Sequence, residues 1–204
     1  MTPVADYTDF DAVPDASYQV VYADPPWFYY GAEDKMAAAG KHYVLMDDEA
    51  LKAMPVRRKC ADKAVVFMWA TCPRLDAAID LLRAWGLHFR GVPFVWVKTR
   101  SDGTPVGAQG VRPSIVKPLV ELVVAGSTEA KGRPLPLLDE AVQQTVFSSR
   151  GDHSAKPVEV RARIERLYGP VRRLEMFARG APAEGWDRFG NQLGEAEPTV
   201  LDLL

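Results

Sequence analysis

Asp24-Pro25-Pro26-Trp27 places a carboxylate, two rigid prolines and an indole within four residues. A carboxylate accepts hydrogen bonds from an amino group, and the Pro25 carbonyl can accept a second. The Trp27 ring offers a flat π-face on which a base or other planar ring can stack. Together these groups suit an exocyclic amine, with both N–H groups engaged and its lone pair pointing outward. The plain alternative is a structural turn with a core tryptophan. With proline at about 5% of residues, the whole tetrapeptide arises by chance in about one chain in a few thousand. That favours function.

Complementary groups lie far downstream. Lys156, just before Pro157 at a helix start, can meet a ligand carboxylate, although a lone lysine is usually a solvated one. Ser154 reads otherwise as a helix cap. Glu175 falls inside an apolar strand, where a charge needs a ligand or a partner such as Arg179. Asn191 and Gln192 each donate and accept, which suits sugar hydroxyls and the edge of a base, or else they make an ordinary Gly-Asn turn.

The elements that must carry these residues are legible in outline. Val20-Val21-Tyr22-Ala23 reads as a strand that Pro25 and Pro26 forbid from continuing. Asp47 or Asp48 can cap a short helix carrying Leu51 and Met54. Val65–Ala70 is a continuous apolar run suited to a buried parallel strand. Pro73 opens a helix with Leu75, Ala78, Ile79, Leu82 and Trp85 on one face, closed by Gly86. Strands follow at Phe94–Val97, Leu119–Ala125 and Thr145–Phe147. Pro157 starts another helix, Arg173–Ala178 is a strong strand, and Trp186–Leu193 is a short strand or turn. Strands alternating with helices predict an α/β fold built on a mostly parallel sheet with helices on both faces, and ligands then bind at strand ends.

Residues 1–204 read as one domain, with an acidic arm over 1–17 and an acidic tail over 195–204. No run of about 18 uncharged apolar residues suggests a membrane span, and no signal peptide is evident. Cys60 and Cys72 are too few for a disulfide framework or a cysteine-rich metal site, which points to a reducing, cytoplasmic-type compartment. Net charge is −2. It divides unevenly: residues 1–50 carry ten acids and two bases, whereas residues 51–194 carry twenty-three bases and fourteen acids. A surface facing a polyanion is one reading of that middle region, and ordinary solvated faces are the other.

With these residues in view, the sequence resembles the DPPW-type adenine N6-methyltransferases, the class containing the eukaryotic mRNA adenosine methylase and many bacterial and phage DNA methylases. Besides Asp24–Trp27, Asp152-His153-Ser154-Ala155-Lys156-Pro157 resembles the family's His-Ser-x-Lys-Pro segment. Leu174–Arg179 resembles its Leu-Glu-Leu-Phe-Ala-Arg strand, and Gly185-Trp186 with Gly190-Asn191-Gln192 its closing motif. The resemblance spans roughly residues 6–193 and implies a Rossmann-like S-adenosylmethionine-dependent methyltransferase fold with permuted motif order. It implies that Asp24, Pro25, Pro26 and Trp27 act on the target adenine. It implies a cofactor set of Asp6, Tyr7, Asp24, Ser154, Lys156, Glu175, Phe177, Arg179, Asn191 and Gln192. Asp6 and the Tyr7 backbone would read the cofactor's adenine, and Lys156 its methionine part.

Substrate contacts are expected from Trp27, Tyr29, His42, Tyr43, Arg112 and Lys117, with Lys131 and Arg133 as candidates for phosphate contact. No metal is required. The absence of a Gly-x-Gly-x-x-Gly loop fits a cofactor without a pyrophosphate. The reaction implied is methylation of the N6 amine of adenine in DNA, by resemblance to small bacterial and phage members. The alternatives are the same reaction on RNA or a non-catalytic subunit. A homodimer, or a heterodimer with a homologous subunit, is the assembly such a protein would form, in a bacterial or phage-infected cell.

Overall fold

The computed structural model describes residues 4–27, 46–107, 115–149 and 155–194. In chain order they form β1 (Asp6–Tyr7), β2 (Tyr18–Ala23), α1 (Asp48–Ala53), α2 (Val56–Lys59) and β3 (Cys60–Thr71). A 3-10 turn (Cys72–Arg74) leads into α3 (Leu75–Ala84), β4 (His88–Thr99), β5 (Val120–Ser127) and β6 (Thr145–Ser149). The chain continues through α4 (Val158–Tyr168), β7 (Arg173–Met176), β8 (Arg179–Gly180), β9 (Trp186–Phe189) and β10 (Gln192–Leu193).

Eight strands make one sheet in the order β1-β9-β7-β2-β3-β5-β4-β6, while β8 and β10 pair as a separate parallel ribbon. The period-2 alternation of β2 and β3 assigns the two faces. Val21, Ala23, Val66, Met68 and Ala70 pack with Leu174, Met176 and the Ala78, Leu81 and Leu82 side chains of α3. Val20, Tyr22, Val65, Phe67 and Trp69 pack on the opposite side with Val160 and Ile164 of α4. A sheet covered on both faces explains why β3 is an unbroken apolar run. Each fully buried aliphatic or aromatic side chain contributes roughly 1.5–3 kcal/mol. No helix among the described residues is long and apolar enough to cross a membrane.

The mostly parallel α/β sheet expected from the sequence is present, with differences that matter for the site. The sheet's one reversed strand is β5, antiparallel to both β3 and β4. The start of the acidic arm is not loop throughout: β1 pairs with β9, placing Asp6 opposite Arg188 and Tyr7 opposite Phe189. The strand expected over Arg173–Ala178 ends at Met176, because Phe177 adopts φ +60° and turns the chain away. A β-carbon in that region costs of order 1–3 kcal/mol, a strain seen mostly at functional positions.

Candidate active site

The order of the sheet reverses at β2: β3 lies on one side of it and β7 on the other. In an open α/β sheet such a switch leaves a crevice at the strand ends. Asp24 sits at that point. Its backbone N–H donates to the Met176 carbonyl at 3.4 Å, tying the turn to the end of β7. The Trp27 backbone N–H donates to the Pro25 carbonyl at 2.8 Å, which aims that oxygen and leaves it one further lone pair. The Trp27 indole N–H donates to the Trp69 carbonyl at 3.2 Å. Two prolines and these bonds make the turn stiff.

Around Asp24 the charges alternate in sign. Lys156 Nζ lies 3.0 Å from Asp24 Oδ2, and a guanidinium nitrogen of Arg179 lies 3.5 Å from the same oxygen. Lys156 also reaches Glu121 Oε2 at 3.5 Å, and Glu121 in turn pairs with Lys98. Burial pushes the Glu121 carboxyl up, but the ammonium groups of Lys156 and Lys98 outweigh it and hold it below its ordinary range. Lys156 also lies 5.5 Å from the centre of a Trp69 ring. Glu175 faces α4 and pairs with Arg161 at 2.6 Å. Burial raises the Glu175 carboxyl above its usual value, and Arg161 offsets this only in part.

Two cavities meet at this turn. The larger, about 450 Å³, is lined by Asp24, Pro25, Pro26, Trp27 and Trp69 and also by Phe177, Phe189 and Asn191. The smaller, about 360 Å³, is lined by Tyr22, Arg161, Glu175 and Gly180. Asp24, Lys156, Phe177 and Arg179 line both. The pair of cavities thus offers carboxylates for an amine or hydroxyls, cations for a carboxylate, and aromatic walls for planar rings. Thr71 adds a buried hydroxyl at the larger cavity with no partner among the described residues. No group of three or more metal-ligating side chains occurs among the described residues.

The structure brings together Asp24, Pro25, Pro26, Trp27, Lys156, Glu175, Phe177, Arg179, Asn191 and Gln192 at these cavities. The ribbon of β8 and β10 places Gln192 opposite Arg179. Behind the ribbon, a β-carbon on Gly190 would lie 2.4 Å from the Ala178 carbonyl oxygen, so only glycine fits there. Several expectations are corrected. Trp27 is 5% exposed and belongs to the core, so it forms a wall of the cleft rather than an open stacking face. The ion-pair partner of Glu175 is Arg161, and Arg179 pairs with Asp24 instead. Asp6 lies outside both cavities, because two of its oxygens hold the buried Arg188 guanidinium at 2.9 and 2.6 Å. Tyr7 also lies outside them and packs on the core, while its carbonyl accepts the Gly190 N–H at 3.1 Å.

Lys131 and Arg133 follow the C-terminal end of β5. Because β5 runs backwards, that end pairs with the starts of β3 and β4, at the sheet edge opposite the cleft. Arg133 is moreover paired with Glu140 at 2.6 Å. Lys117 is exposed on the segment that leads into β5, and its stem packs against Gly107. Tyr29, His42, Tyr43, Arg112 and Ser154 lie outside the described residues.

Sequence reasoning missed Thr8, Phe10, Trp69, Thr71, Glu121 and Phe189, all of which line the larger cavity. Glu121 had a readable signal. It is a lone charge within Val120-Glu121-Leu122-Val123, the same pattern that singled out Glu175. Thr8 and Phe10 had none, being embedded in an acidic stretch that resembles a loop.

Comparison with known proteins adds an independent line. A family model described as MT-A70 matches residues 18–192. The chain is 30% identical to the type II methyltransferase M.MunI of Mycoplasma sp., over 90% of this chain and 81% of that one. It is 28% identical to the human N(6)-adenosine-methyltransferase catalytic subunit METTL3, over 86% of this chain but only 28% of that protein. The MT-A70-like N(6)-adenosine-methyltransferase of Arabidopsis thaliana is likewise 28% identical, over 87% of this chain and 24% of its own length.

Proposed function

Since the chain belongs to the MT-A70 family of adenine methylases, we propose that it transfers a methyl group from S-adenosylmethionine to the N6 amine of adenine in DNA. The observation that carries this reading is that the two cavities share Asp24. Adjoining cavities that meet at one carboxylate give a two-substrate transfer room for both reactants beside the same acceptor. The donor set fits a zwitterionic sulfonium nucleoside. Lys156 and Arg179 suit its carboxylate, Glu175 with Asn191 and Gln192 its hydroxyls and base edge, and Phe177 and Phe189 its ring.

The cofactor, when bound, supplies an electrophilic methyl group on a positively charged sulfur. The amine's lone pair is delocalised into the adenine ring, so it is a poor nucleophile. Asp24 and the second lone pair of the Pro25 carbonyl accept its two N–H groups and favour a more tetrahedral nitrogen. They also stabilise the positive charge that develops as the N–C bond forms and the C–S bond breaks. A neutral thioether leaves, and the product amine gives up one proton. Holding both reactants in line contributes roughly 7 kcal/mol or more of barrier reduction. In duplex DNA the adenine must first leave the stack, at a cost of a few kcal/mol.

The preference for DNA is supported by extent: the chain spans most of the bacterial type II methyltransferase but about a quarter of the adenosine methyltransferases. A bacterial-type cytoplasm would be its place of work. Labelled methyl transfer to matched DNA and RNA oligonucleotides, followed by digestion to nucleosides, tests the reading. N6-methyladenine in DNA is expected. Asp24→Ala should lower transfer by at least about a hundredfold in a protein with unchanged circular dichroism, and full activity in that variant would overturn the assignment.

A further inference from the structure

Lys59 is the only lysine among the described core residues with no exposed surface. Its ammonium is enclosed by one short stretch of chain: the Val13 carbonyl at 2.6 Å, the Asp15 carboxylate at 2.8 Å and the Asp11 carbonyl at 3.4 Å. The Phe10 ring centre lies 5.4 Å away. Burying an ammonium is costly unless its three donors are satisfied, so a loop that wraps one this closely is held firmly in place. The backbone reinforces the wrap, because Ala16 and Ser17 donate to the carbonyls of Arg58 and Lys59 at 2.8 and 3.0 Å. Hydrogen bonding from Lys59 holds the Asp15 carboxyl below its ordinary range, so that acceptor stays ionised near neutrality.

The foot of this loop is Phe10, which walls the larger cavity together with Thr8. Phe10 packs edge-on against Phe189 at 4.9 Å between ring centres, and Phe189 against Phe177 at 6.2 Å. All three rings line the cavity. Lys59 itself lies at the end of α2 and lines neither cavity.

We propose that Lys59 is a positioning residue that sets the aromatic wall of the cofactor side of the cleft by clamping the Asp11–Asp15 loop and, through it, Phe10. This rests on the assignment of S-adenosylmethionine as the ligand. The clamp acts on ground-state binding, because Phe10 packs on Phe189 and, through it, on Phe177, the rings assigned to the cofactor. Removing it should weaken binding of the cofactor with little effect on the chemical step.

The test is steady-state kinetics and calorimetry on the full chain with S-adenosylmethionine and S-adenosylhomocysteine. Lys59→Met should raise the cofactor KM about tenfold, equivalent to roughly 1.4 kcal/mol of lost ground-state binding, with kcat within about twofold. Phe10→Ala should do the same, and the double variant should be no worse than Phe10→Ala alone, because both act through one ring. Asp15→Asn keeps the loop's carbonyl contacts and serves if Lys59→Met does not fold; it should raise KM about threefold. Additive effects, a fall in kcat at constant KM, or unchanged KM in both clamp variants would overturn the proposal. Failure of the wild-type chain to bind either nucleoside would instead overturn the cofactor assignment.

Discussion

At the scale of single residues, the acids near the cleft differ in how many of their carboxylate oxygens the protein's own cations hold. Asp6 is the clearest case. The family resemblance gives it to the cofactor's adenine, but the structure gives both its oxygens to Arg188, whose third contact is the Gly180 carbonyl at 2.7 Å. Asp6→Ala should therefore strand a buried guanidinium and destabilise the fold by about 1–3 kcal/mol, lowering Tm by roughly 2–10 °C. Cofactor affinity should change less than about threefold, as calorimetry would show. A tenfold loss of affinity at constant Tm would return Asp6 to the cofactor site.

Glu175 gives a pH signature at the same scale. Its carboxyl titrates above the ordinary glutamate value of 4.5, because burial outweighs Arg161, with Arg188 also lowering and Asp24 raising it. A raised acid pKa means that the folded state holds this proton more tightly than the unfolded chain does. The stability this confers is full below the ordinary value and is lost as pH rises through the raised one. Ligand binding runs the other way if the ionised form holds the hydroxyls. Affinity for S-adenosylhomocysteine should decline on acidification while pH is still above the normal glutamate range. Glu175→Gln should remove that limb of the curve.

At the scale of elements, much was legible because most apolar runs have a single reading. The runs in β2 and β3 are too short and too β-branched for helices, and Pro73 and Pro157 mark helix starts that the structure confirms to within about two residues. What remained hidden was direction and local breakage. Nothing in the composition of Val120–Ser127 distinguishes a parallel strand from an antiparallel one when both faces are buried. Phe177 at positive φ was equally unreadable, since bulky residues rarely adopt it. The β8–β10 ribbon depends on the close approach of Gly190 to Ala178. Gly190→Ala should cost about 1–3 kcal/mol through overpacking and weaken cofactor binding at least about tenfold, because Arg179, Asn191 and Gln192 move with the ribbon. Thermal melts and calorimetry on one sample would separate the two effects.

At the scale of the whole molecule, the charge asymmetry visible in the sequence is redistributed by the topology. Part of the basic charge of the middle region gathers at the cleft, as Lys156, Arg161 and Arg179, and much of the rest does not. Arg58, Arg133, Arg166, Arg172 and Arg173 are engaged in ion pairs with the protein's own acids. On the proposed function, a DNA strand reaching Asp24 would approach the opposite edge of the sheet from Lys131 and Arg133. Replacing both by alanine should therefore leave DNA affinity within about twofold and the salt dependence of binding unchanged. A true phosphate contact would reduce the slope of log K against log salt by about 0.9 each. Fluorescence anisotropy over a salt series makes that measurement.

The reversal of sheet order at β2 also sets a timetable. β2 meets β3 across a modest stretch of chain, but Val20 meets Arg173 only after about 150 intervening residues have been made and brought back. Closing so long a loop carries a large entropy cost and is slow. During synthesis, the segment carrying Asp24 emerges early and waits, with one edge of β2 bare, for the strand that bears Glu175. The same seam that creates the crevice is thus the one a growing chain must keep from the wrong neighbour until β7 arrives.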